Sequence, residues 1–343
     1  MDRAFIIGCG YVGAALVRRL HAAGIEARGT SLSGAAPAGA ELVAVDLRGT
    51  TPLDFPAASG AVVYYMVSTL ARVEDGSHRP PLQRALAALD PHSIAGLIYL
   101  SSTTVYGDRG GDWVDEHTPV APTSPWGRMR VELEQLVWAY GRHRKVPACV
   151  VRLPEIYGPD RGVIARLRDA ADPALPPGRS SARSFQGAQG ARSFQGPLRG
   201  SPLRPHPPPL GAHPHRYSNR IHVDDLADVL LELGRRLDRE LLLVSDGHPA
   251  TTEEVYREAA RLLGLPPPLV KEEAPRRASD MRAAIDEPDP NRLALLRDSK
   301  RCRNDELLRW LGRPLRYPDY RQGLAACVGL QAPGFGLQQR PPR

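Results

Sequence analysis

The stretch "FIIGCGYVGAALVRRL", residues 5–20, decides the fold of this chain. It places Gly8, Gly10 and Gly13 in the spacing GxGxxG, directly after a short apolar run and at the start of a helical pattern. Gly8 permits a tight turn, Gly10 lets the backbone approach a pyrophosphate, and Gly13 lets the helix pack closely on the strand. The helix N-terminus supplies amide donors and the positive end of a dipole. The stretch therefore predicts a βαβ unit that binds a dinucleotide.

Short apolar runs alternate with amphipathic helical patterns through the first half of the chain. The runs are "AFIIG" (4–8), "LVAVD" (42–46), "GAVVYYMV" (60–67), "GLIYLS" (96–101) and "ACVVRL" (148–153). Continuous apolar character is typical of strands that are covered on both faces, as in parallel sheets. We predict an α/β fold, a Rossmann-type doubly wound parallel sheet with a small C-terminal substrate lobe.

Helix boundaries carry sequence signals of their own. The first helix is predicted over 11–23, with Gly24 as its C-terminal cap, and a second over 80–89. Thr251 and Glu254 form a capping-box signature at the start of a later helix, which Gly264 ends. Ser124 and Pro125 predict the N-cap and the first turn of another helix.

Composition divides the chain into segments. Residues 172–216 carry ten prolines from Pro173 onward and the direct repeat "ARSFQG" at 182–187 and 191–196, a composition that cannot bury enough apolar surface to fold. A duplicated insert without a function and a Pro/Arg-rich docking segment are both consistent with it. The predicted segments are a Rossmann core (1–170), a disordered insertion (171–216), a return to the core (217–246), a small C-terminal substrate lobe (247–330) and a disordered tail (331–343).

Charge and cysteine content exclude several classes of function. The net charge is +7, but the segment from Pro173 to Arg216 holds six arginines and no Lys, Asp or Glu, so the rest of the chain carries +1. A basic surface for nucleic acid is therefore poorly supported. The four cysteines form no CxxC pair, and we expect neither an export signal nor a stretch that spans a bilayer. These features predict a cytoplasmic protein.

The choice of dinucleotide depends on the end of the second strand. NAD-binding proteins usually place a carboxylate there for the ribose hydroxyls, but this chain has Thr30 and Ser31, with Glu26 inside the strand. A 2′-phosphate would meet hydroxyls and Arg28 without repulsion. We predict NADP or NAD, with NADP favoured. Asp46, which ends the run at 42–46 and with it the predicted third strand, is either an adenine contact or a loop cap.

Further along, "YLSSTTVYGD" (99–108) and "SPWGRMRVELEQ" (124–135) resemble the extended short-chain dehydrogenase/reductases, the superfamily of NAD-dependent epimerases and dehydratases. In that family a strand ends in SSxxVYG and a later helix begins SPYGxSKxxxEQ. The resemblance continues through "VVRLPEIYGPDRG" (150–162) and "RIHVDDLADVL" (220–230), and ends at 299–324. "GCGYVG" and the SKRxxN stretch are similar to an atypical, YeeZ-like bacterial branch.

The resemblance implies a catalytic set from which this chain departs. In the family, a serine at the position of Ser102 hydrogen-bonds the substrate oxygen, and a tyrosine four residues before a lysine exchanges the proton. Here the tyrosine and lysine positions hold Trp126 and Arg130. An indole N–H donates a hydrogen bond but is no acid or base at neutral pH, whereas arginine still offers a positive charge to a ribose or phosphate. We expect Trp126 to pack over the nicotinamide end of the cleft or at the lobe interface.

Two tyrosines are candidate replacement acids. Tyr106 in "VYG" and Tyr157 in "EIYG" are placed by the resemblance near strand ends, where doubly wound folds bind ligands. A structural turn role also explains each, and a strand-end cap explains Ser102. The predicted catalytic residues are Ser102, Tyr106, Trp126 and Arg130. The predicted cofactor-binding residues are Gly8, Gly10, Tyr11, Val12, Gly13, Thr30, Ser31, Asp46, Leu47, Arg130 and Pro154.

No metal site is predicted. His222 precedes a helix start and fits a cap or a packing role better than a ligand, and the histidines of the insertion lack partner ligands. Cys9, in the glycine loop, is either a redox-sensitive thiol activated by the helix N-terminus or a small residue in a tight turn.

Two functions remain open at this stage. The first is an NAD(P)-dependent oxidoreductase or epimerase/dehydratase that acts on a small carbonyl or sugar-like substrate. The second is a non-catalytic NAD(P)-binding protein with a regulatory or interaction role. The expected partner is a small-molecule substrate, with no nucleic acid, metal or membrane. In the resembling family, helices at 82–89 and 126–142 often pair in a four-helix interface, so a homodimer is an option.

Overall fold

The computed structural model describes residues 1–67, 71–72, 78–79, 81–171, 215–267 and 297–329. The predicted insertion (171–216) lies outside the described residues except at its ends, and so does the predicted tail (331–343). Residues 268–296 of the predicted C-terminal lobe also lie outside them. The predictions for these segments stay predictions.

A seven-stranded parallel sheet forms the centre of the molecule. The strands in chain order are β1 (Arg3–Ile7), β2 (Glu26–Ser31), β3 (Ala40–Ala44), β4 (Val62–Tyr65), β5 (Ala71–Arg72), β6 (His78–Arg79), β7 (Gly96–Ser102), β8 (Trp113–Val114), β9 (Ala148–Leu153), β10 (Glu155–Tyr157), β11 (Tyr217–Ser218), β12 (Arg220–His222), β13 (Leu241–Leu243), β14 (Ala250–Thr251) and β15 (Arg301–Cys302). The order in the main sheet is β13-β9-β7-β4-β1-β2-β3, and every neighbouring pair is parallel. This is the doubly wound Rossmann order, and it confirms the predicted fold class.

Helices cover both faces of this sheet. The helices of the described residues, of which α4, α6 and α8 belong to a smaller lobe, are α1 (Tyr11–Ala22), α2 (Pro81–Leu89), α3 (Pro125–Arg144), α4 (Val163–Ala171), α5 (Val223–Arg236), α6 (Thr252–Leu263), α7 (Asp305–Leu311) and α8 (Tyr320–Cys327). Successive residues of a strand point to opposite faces. In β1, Ile6 joins the core beneath α1 and α5, while Phe5 and Ile7 join the core beneath α2 and α3. The continuous apolar runs are therefore explained by burial on both sides.

Several helix ends agree with their sequence signals. The side chain of Ser124 accepts a hydrogen bond from the amide of Gly127 at 3.0 Å and begins α3. Thr251 and Glu254 form the expected capping box of α6, and Gly264 ends that helix in the left-handed conformation with φ +67°. His222 caps α5 by accepting the amide of Asp224 at 3.1 Å, which confirms the capping role.

The third strand differs from its prediction. The apolar run at 42–46 suggested a buried strand there, but β3 spans Ala40–Ala44 and Val43 is 67% exposed. The reason is topological, since β3 pairs only with β2 within the main sheet. An edge strand carries less cover than a central one, so its apolar pattern is a weaker guide to its bounds.

A second, smaller core lies beyond the carboxyl ends of the strands. The helices α4, α6 and α8 share an apolar cluster that includes Tyr157, Leu167, Val255 and Leu324. Two short ladders lie outside the main sheet: β10 pairs with β12, and β11 pairs with β14. The lobe thus faces the end of the sheet at which the glycine loop lies.

Candidate active site

The glycine loop has the geometry that its spacing predicts. Gly8 has φ +83°, and a Cβ there would lie 2.4 Å from the side chain of Val67. A Cβ on Gly13 would lie 2.9 Å from Cys9 Sγ, so this glycine permits the close packing of α1 on β1. A Cβ on Gly10 would meet no atom of the described residues within 4 Å. Gly8 and Gly13 are therefore needed by the fold, whereas the space in front of Gly10 is open to a ligand.

The start of α1 fits a pyrophosphate. Gly10 is the N-cap residue and has no side chain that could cap the helix, and the first turn contains no acidic residue. The amides of this turn therefore face the open space, together with the positive end of the helix dipole. Tyr11, Val12 and Gly13 begin the helix and line the same cavity.

Thr30 and Ser31 lie behind the glycine loop. Both are buried, and the Thr30 side chain accepts a hydrogen bond from the Gly8 amide at 3.3 Å. The carbonyl oxygen of Thr30 also accepts the amides of Gly8 and Cys9. Arg28, which the sequence offered to a 2′-phosphate, pairs instead with Glu26 at 2.6 Å. The end of β2 therefore supports the loop, and Arg28 is already paired.

Asp46 and Leu47 follow β3. Asp46 accepts the amide of Arg48 at 2.9 Å and the Arg48 guanidinium at 2.8 Å, and this bonding lowers the pKa of its carboxyl group. The carbonyl oxygen of Leu47 accepts Arg84 of α2 at 2.6 Å. Asp46 thus forms the loop cap that was its alternative role. Neither these two residues nor Thr30 and Ser31 line the main cavity, as far as the described residues define it.

A cavity of about 960 Å³ extends from the glycine loop into the space between the sheet and the smaller lobe. It brings together residues that are far apart in sequence. Among the predicted site residues, those that line it are Gly8, Gly10, Tyr11, Val12, Gly13, Ser102, Arg130 and Pro154. This cavity lies at the carboxyl ends of the strands, where doubly wound folds bind their ligands.

Ser102 lies at the end of β7, on the wall of the cavity. Its Oγ accepts the amide of Thr104 at 3.3 Å and caps a short 3-10 helix, Thr103–Tyr106. Ser102 therefore caps the turn with its side chain and is also part of the cavity wall.

Tyr106 is removed from the cavity. Its side chain is fully buried, its hydroxyl donates to the carbonyl oxygen of Asp115 at 2.7 Å, and it accepts from Arg152 Nη1 at 3.1 Å. Burial raises the pKa of the Tyr106 phenol, although the nearby Arg152 charge opposes this. A phenol in these bonds is part of a buried network, and Tyr106 is not among the described residues that line the cavity. Tyr157 is likewise buried and outside the cavity lining in the described part of the chain.

Trp126 and Arg130 occupy successive turns at the start of α3. Arg130 lines the cavity, whereas Trp126 is 37% exposed and lies outside the lining that the described residues form. Burial lowers the pKa of Arg130, and a hydrogen bond with Tyr99 acts in the opposite direction. Because arginine stays protonated in proteins, the Arg130 guanidinium is a fixed positive charge in the cavity wall. Trp126 offers no proton exchange there.

The far end of the cavity is rich in arginine, which sequence reasoning did not single out. Arg166 donates to Glu155 at 2.7 Å, and Arg220 lies 3.8 Å from the same carboxylate. Burial alone would raise the pKa of Glu155, but these two charges hold it below its ordinary value. Arg220 is nearly buried, and its Nη1 has no hydrogen-bond partner among the described residues. Arg161 and Arg216 line the same end.

In total the described lining contains six cationic side chains and two carboxylates. They are Arg130, Arg161, Arg166, Arg216, Arg220 and Lys300, with Glu155 and Asp298. Such a surface favours an anionic ligand beyond the glycine loop. The sequence indicated this cationic lining only through the positions of Arg161 and Arg220, which stand in the segments that resemble the family's motifs.

Cys9 and its fellow cysteines are buried free thiols. Burial raises the pKa of the Cys9 thiol to about 11, so the helix N-terminus does not activate it. Burial and the close packing of Cys9 Sγ against Gly13 favour the small-residue interpretation over the redox interpretation.

None of the described helices has the length and apolar character to cross a membrane. No cluster of three or more potential metal ligands occurs in the described ranges.

Comparison with known proteins gives the family. The profile of the NAD dependent epimerase/dehydratase family matches residues 4–173. YeeZ of Escherichia coli (strain K12) is 26% identical over 280 residues, which are 78% of this chain and 86% of YeeZ. The protein named uncharacterized UDP-glucose epimerase YtcB of Bacillus subtilis (strain 168) is 36% identical over 78 residues, 23% of this chain and 24% of YtcB. That match spans only about a quarter of the relative's length.

The solved structures share the fold. The UDP-glucose 4-epimerase of Thermus thermophilus, in complex with NAD, superposes with a TM-score of 0.67 at 17% identity, over 95% of this chain and 98% of the other. At this identity the likeness concerns the fold. The profile match over the glycine loop and the similarity to YeeZ along most of the chain show that this protein belongs to the NAD-dependent epimerase/dehydratase family of extended short-chain dehydrogenase/reductases.

Proposed function

We propose that the chain is an NAD(P)-dependent oxidoreductase of the epimerase or dehydratase type, acting on a sugar-like substrate that carries an anionic group. One observation carries the proposal: a single cavity joins a dinucleotide-type glycine loop to a cluster of arginines. A nucleoside diphosphate attached to a sugar is an anion of this kind. The names of YtcB and of the Thermus thermophilus enzyme, both UDP-glucose epimerases, support this substrate class.

The residues present would divide the work as follows. The loop around Gly10 and the first turn of α1 would bind the pyrophosphate, and Arg130 would lie near the ribose or a phosphate. When bound, the dinucleotide supplies or receives a hydride. Ser102 would hydrogen-bond the reacting oxygen. The arginines at the far end would bind the substrate's phosphates, and they include Arg220, whose Nη1 has no partner in the described part of the chain.

The cofactor preference is part of the proposal. NADP is favoured over NAD because the end of β2 has no carboxylate that would repel a 2′-phosphate. The pairing of Arg28 with Glu26 removes one expected contact, so the difference in affinity should be modest.

Fluorescence titration with NADH and NADPH tests the binding step. Both should bind, with NADPH the tighter. Gly10→Val should abolish binding and leave the melting temperature nearly unchanged, because the added atoms enter space that the protein leaves open. Absence of binding to the wild type would refute the proposal.

A screen with UDP-sugars, dTDP-sugars and unactivated sugars then tests substrate class. We expect turnover or competitive binding only with the nucleotide-linked compounds. Arg220→Met should weaken their binding by about tenfold or more, since a buried charged hydrogen bond contributes roughly 1.5–3 kcal/mol. Equal binding of unactivated sugars would contradict the anionic substrate class.

A second candidate function follows from Trp126. A family position that normally exchanges a proton holds an indole, as expected of a non-catalytic NAD(P)-binding protein with a regulatory or interaction role. Dinucleotide binding without turnover of any compound in the screen would favour this alternative.

A homodimer through α2 and α3 remains a prediction, which light scattering of the purified protein would test.

A further inference from the structure

The chain contains 42 arginines and only three lysines, Lys145, Lys271 and Lys300. Nearly every cation that serves as a surface charge is therefore arginine. Lys300 is 6% exposed and lines the cavity. Lysine differs from arginine in that its amine can lose a proton near neutral pH when it is buried. A buried lysine in this arginine-rich chain is thus a candidate for chemistry that arginine cannot perform.

Lys300 lies between the segment that follows the 3-10 helix and the segment that precedes α3. Its Nζ donates to the carbonyl oxygen of Gly107 at 2.8 Å, directly after the 3-10 helix that Ser102 caps. It also lies 3.9 Å from Asp298 Oδ2. Asp298 in turn accepts the Thr123 hydroxyl at 2.9 Å, one residue before the cap of α3.

These contacts link Lys300 to both parts of the family motif. Gly107 belongs to the segment "SSTTVYG", and Thr123 directly precedes "SPWG". Gly127, the residue after Trp126, packs against the same 3-10 helix, since a Cβ there would lie 2.9 Å from the carbonyl oxygen of Thr104. The amine is therefore anchored to the residue that follows the 3-10 helix, and the first turn of α3 packs against that same helix.

The charges around Lys300 are mixed. Burial lowers the pKa of its amine, and Arg216 acts in the same direction. Asp298, Asp108 and the Cys302 thiol act in the opposite direction. Burial also raises the pKa of the Asp298 carboxyl, which weakens its hold on the amine proton. A cavity group with these neighbours is easier to deprotonate than an exposed lysine.

We propose that Lys300 is the proton donor and acceptor of this active site, in the role that tyrosine has in the resembling enzymes. The inference rests on the proposed function. In the oxidative direction, the neutral amine takes the proton of a substrate hydroxyl as its O–H bond breaks. A bound oxidised nicotinamide dinucleotide would accept the C–H hydride as the C=O bond forms. In the reductive direction, the ammonium returns that proton to the substrate oxygen.

The protonation of Lys300 is measurable without turnover. In protein labelled with ¹³C-lysine, three Cε resonances are expected, and Lys300→Met and Lys145→Met assign them. The Lys300 resonance should titrate at a lower pH in the folded protein than in the urea-unfolded chain. Asp298→Asn should move that titration to still lower pH, because it removes a charge that favours the ammonium form. UDP-glucose added with NADH should shift the Lys300 resonance and leave that of Lys145 in place.

Kinetics distinguish a proton carrier from a fixed charge. Lys300→Met and Lys300→Arg should both lower kcat by about a hundredfold to ten-thousandfold, the usual contribution of general acid-base catalysis, with NADH affinity kept. The wild-type oxidative rate should rise with pH along a limb that Asp298→Asn moves to lower pH. Lys145→Met is the matched control and should behave as wild type.

Two results would overturn the inference. One is full activity in Lys300→Arg, because a guanidinium stays protonated and would then act only as a charge. The other is a Lys300 resonance that titrates as in the unfolded chain and ignores UDP-glucose, whether or not NADH binds. Failure of NADH binding with a depressed Lys300 titration would instead refute the proposed function and leave the amine's chemistry supported.

Discussion

Trp126 shows how far a single residue departs from its motif while the local frame is kept. Ser124 still caps the helix, Pro125 still stands in its first turn, and Arg130 still follows at i+4. The indole is 37% exposed instead of lining the cavity. At the scale of the residue, the motif has lost its proton-exchanging group and retained its scaffold and one positive charge.

Restoring the usual pair tests whether that loss matters. We expect Trp126→Tyr combined with Arg130→Lys to change kcat by no more than a fewfold, because the proton is exchanged at Lys300. The comparison is made on a substrate from the nucleotide-sugar screen, at several pH values. A rise of about a hundredfold or more would show that the wild type lacks an effective acid-base group, contrary to the role given to Lys300.

At the scale of the element, α3 is fixed to the sheet by a buried ion pair. Glu134 of α3 and Arg152 of β9 are both almost fully buried, and Arg152 Nη2 donates to Glu134 Oε2 at 2.8 Å. Ser101 donates to the same carboxylate at 2.5 Å, and Tyr106 accepts from Arg152. This network holds the end of β7, the 3-10 helix and the start of α3 in one arrangement, and so positions Ser102 and Arg130.

Breaking the pair should destabilise the fold strongly. Arg152→Met leaves the Glu134 carboxylate buried and unpaired, and we expect a loss of about 3–5 kcal/mol in the free energy of unfolding. Glu132→Gln, on the exposed face of the same helix, is the control and should stay within about 0.5 kcal/mol of wild type. Urea unfolding followed by circular dichroism gives both values. A small effect of Arg152→Met would mean that the network contributes little to stability.

At the scale of the whole molecule, the buried carboxyl group of Asp246 makes the free energy of unfolding depend on pH. Asp246 follows β13 and is 3% exposed. Its Oδ1 accepts the His248 amide at 3.0 Å, whereas Oδ2 has no partner among the described residues. Burial raises the pKa of the Asp246 carboxyl to about 8, against a partial opposing effect of Arg220. The folded protein therefore holds a proton that the unfolded chain releases near its ordinary pKa.

The contribution of Asp246 to the free energy of unfolding falls as pH rises. Because the pKa is raised on folding, this group's contribution is complete below the unfolded pKa and is lost as pH rises toward about 8. Between about pH 5 and about pH 8, the free energy of unfolding of the wild type should fall with pH more steeply than that of Asp246→Asn, whose side chain is neutral throughout. The difference in slope should be at most about 1.4 kcal/mol per pH unit. Urea unfolding across this range measures the difference. Parallel profiles for the two proteins would show that Asp246 is ionised in the folded state.

The prediction of the site from the sequence was uneven for a physical reason. The cofactor end depends on a local motif, since all three glycines lie within six residues and their turn precedes a helix that the same stretch encodes. The residues near it in sequence, Tyr11 and Val12, accordingly line the cavity. The catalytic end depends on chain segments far apart, and Lys300 reaches Gly107 across 193 positions. No periodicity or spacing connects such residues.

By itself the sequence determined the parallel sheet, the glycine loop, the caps of α3, α5 and α6, and the absence of the family's tyrosine and lysine. Those features depend on the order of neighbouring residues, through burial periodicity, backbone freedom and local hydrogen bonds. Only the tertiary structure decided that Tyr106 is enclosed in a buried network, that arginines gather at the far end of the cavity, and that Lys300 lies beside the altered motif. Each of these depends on which strand ends become neighbours when the sheet forms and the smaller lobe closes over it.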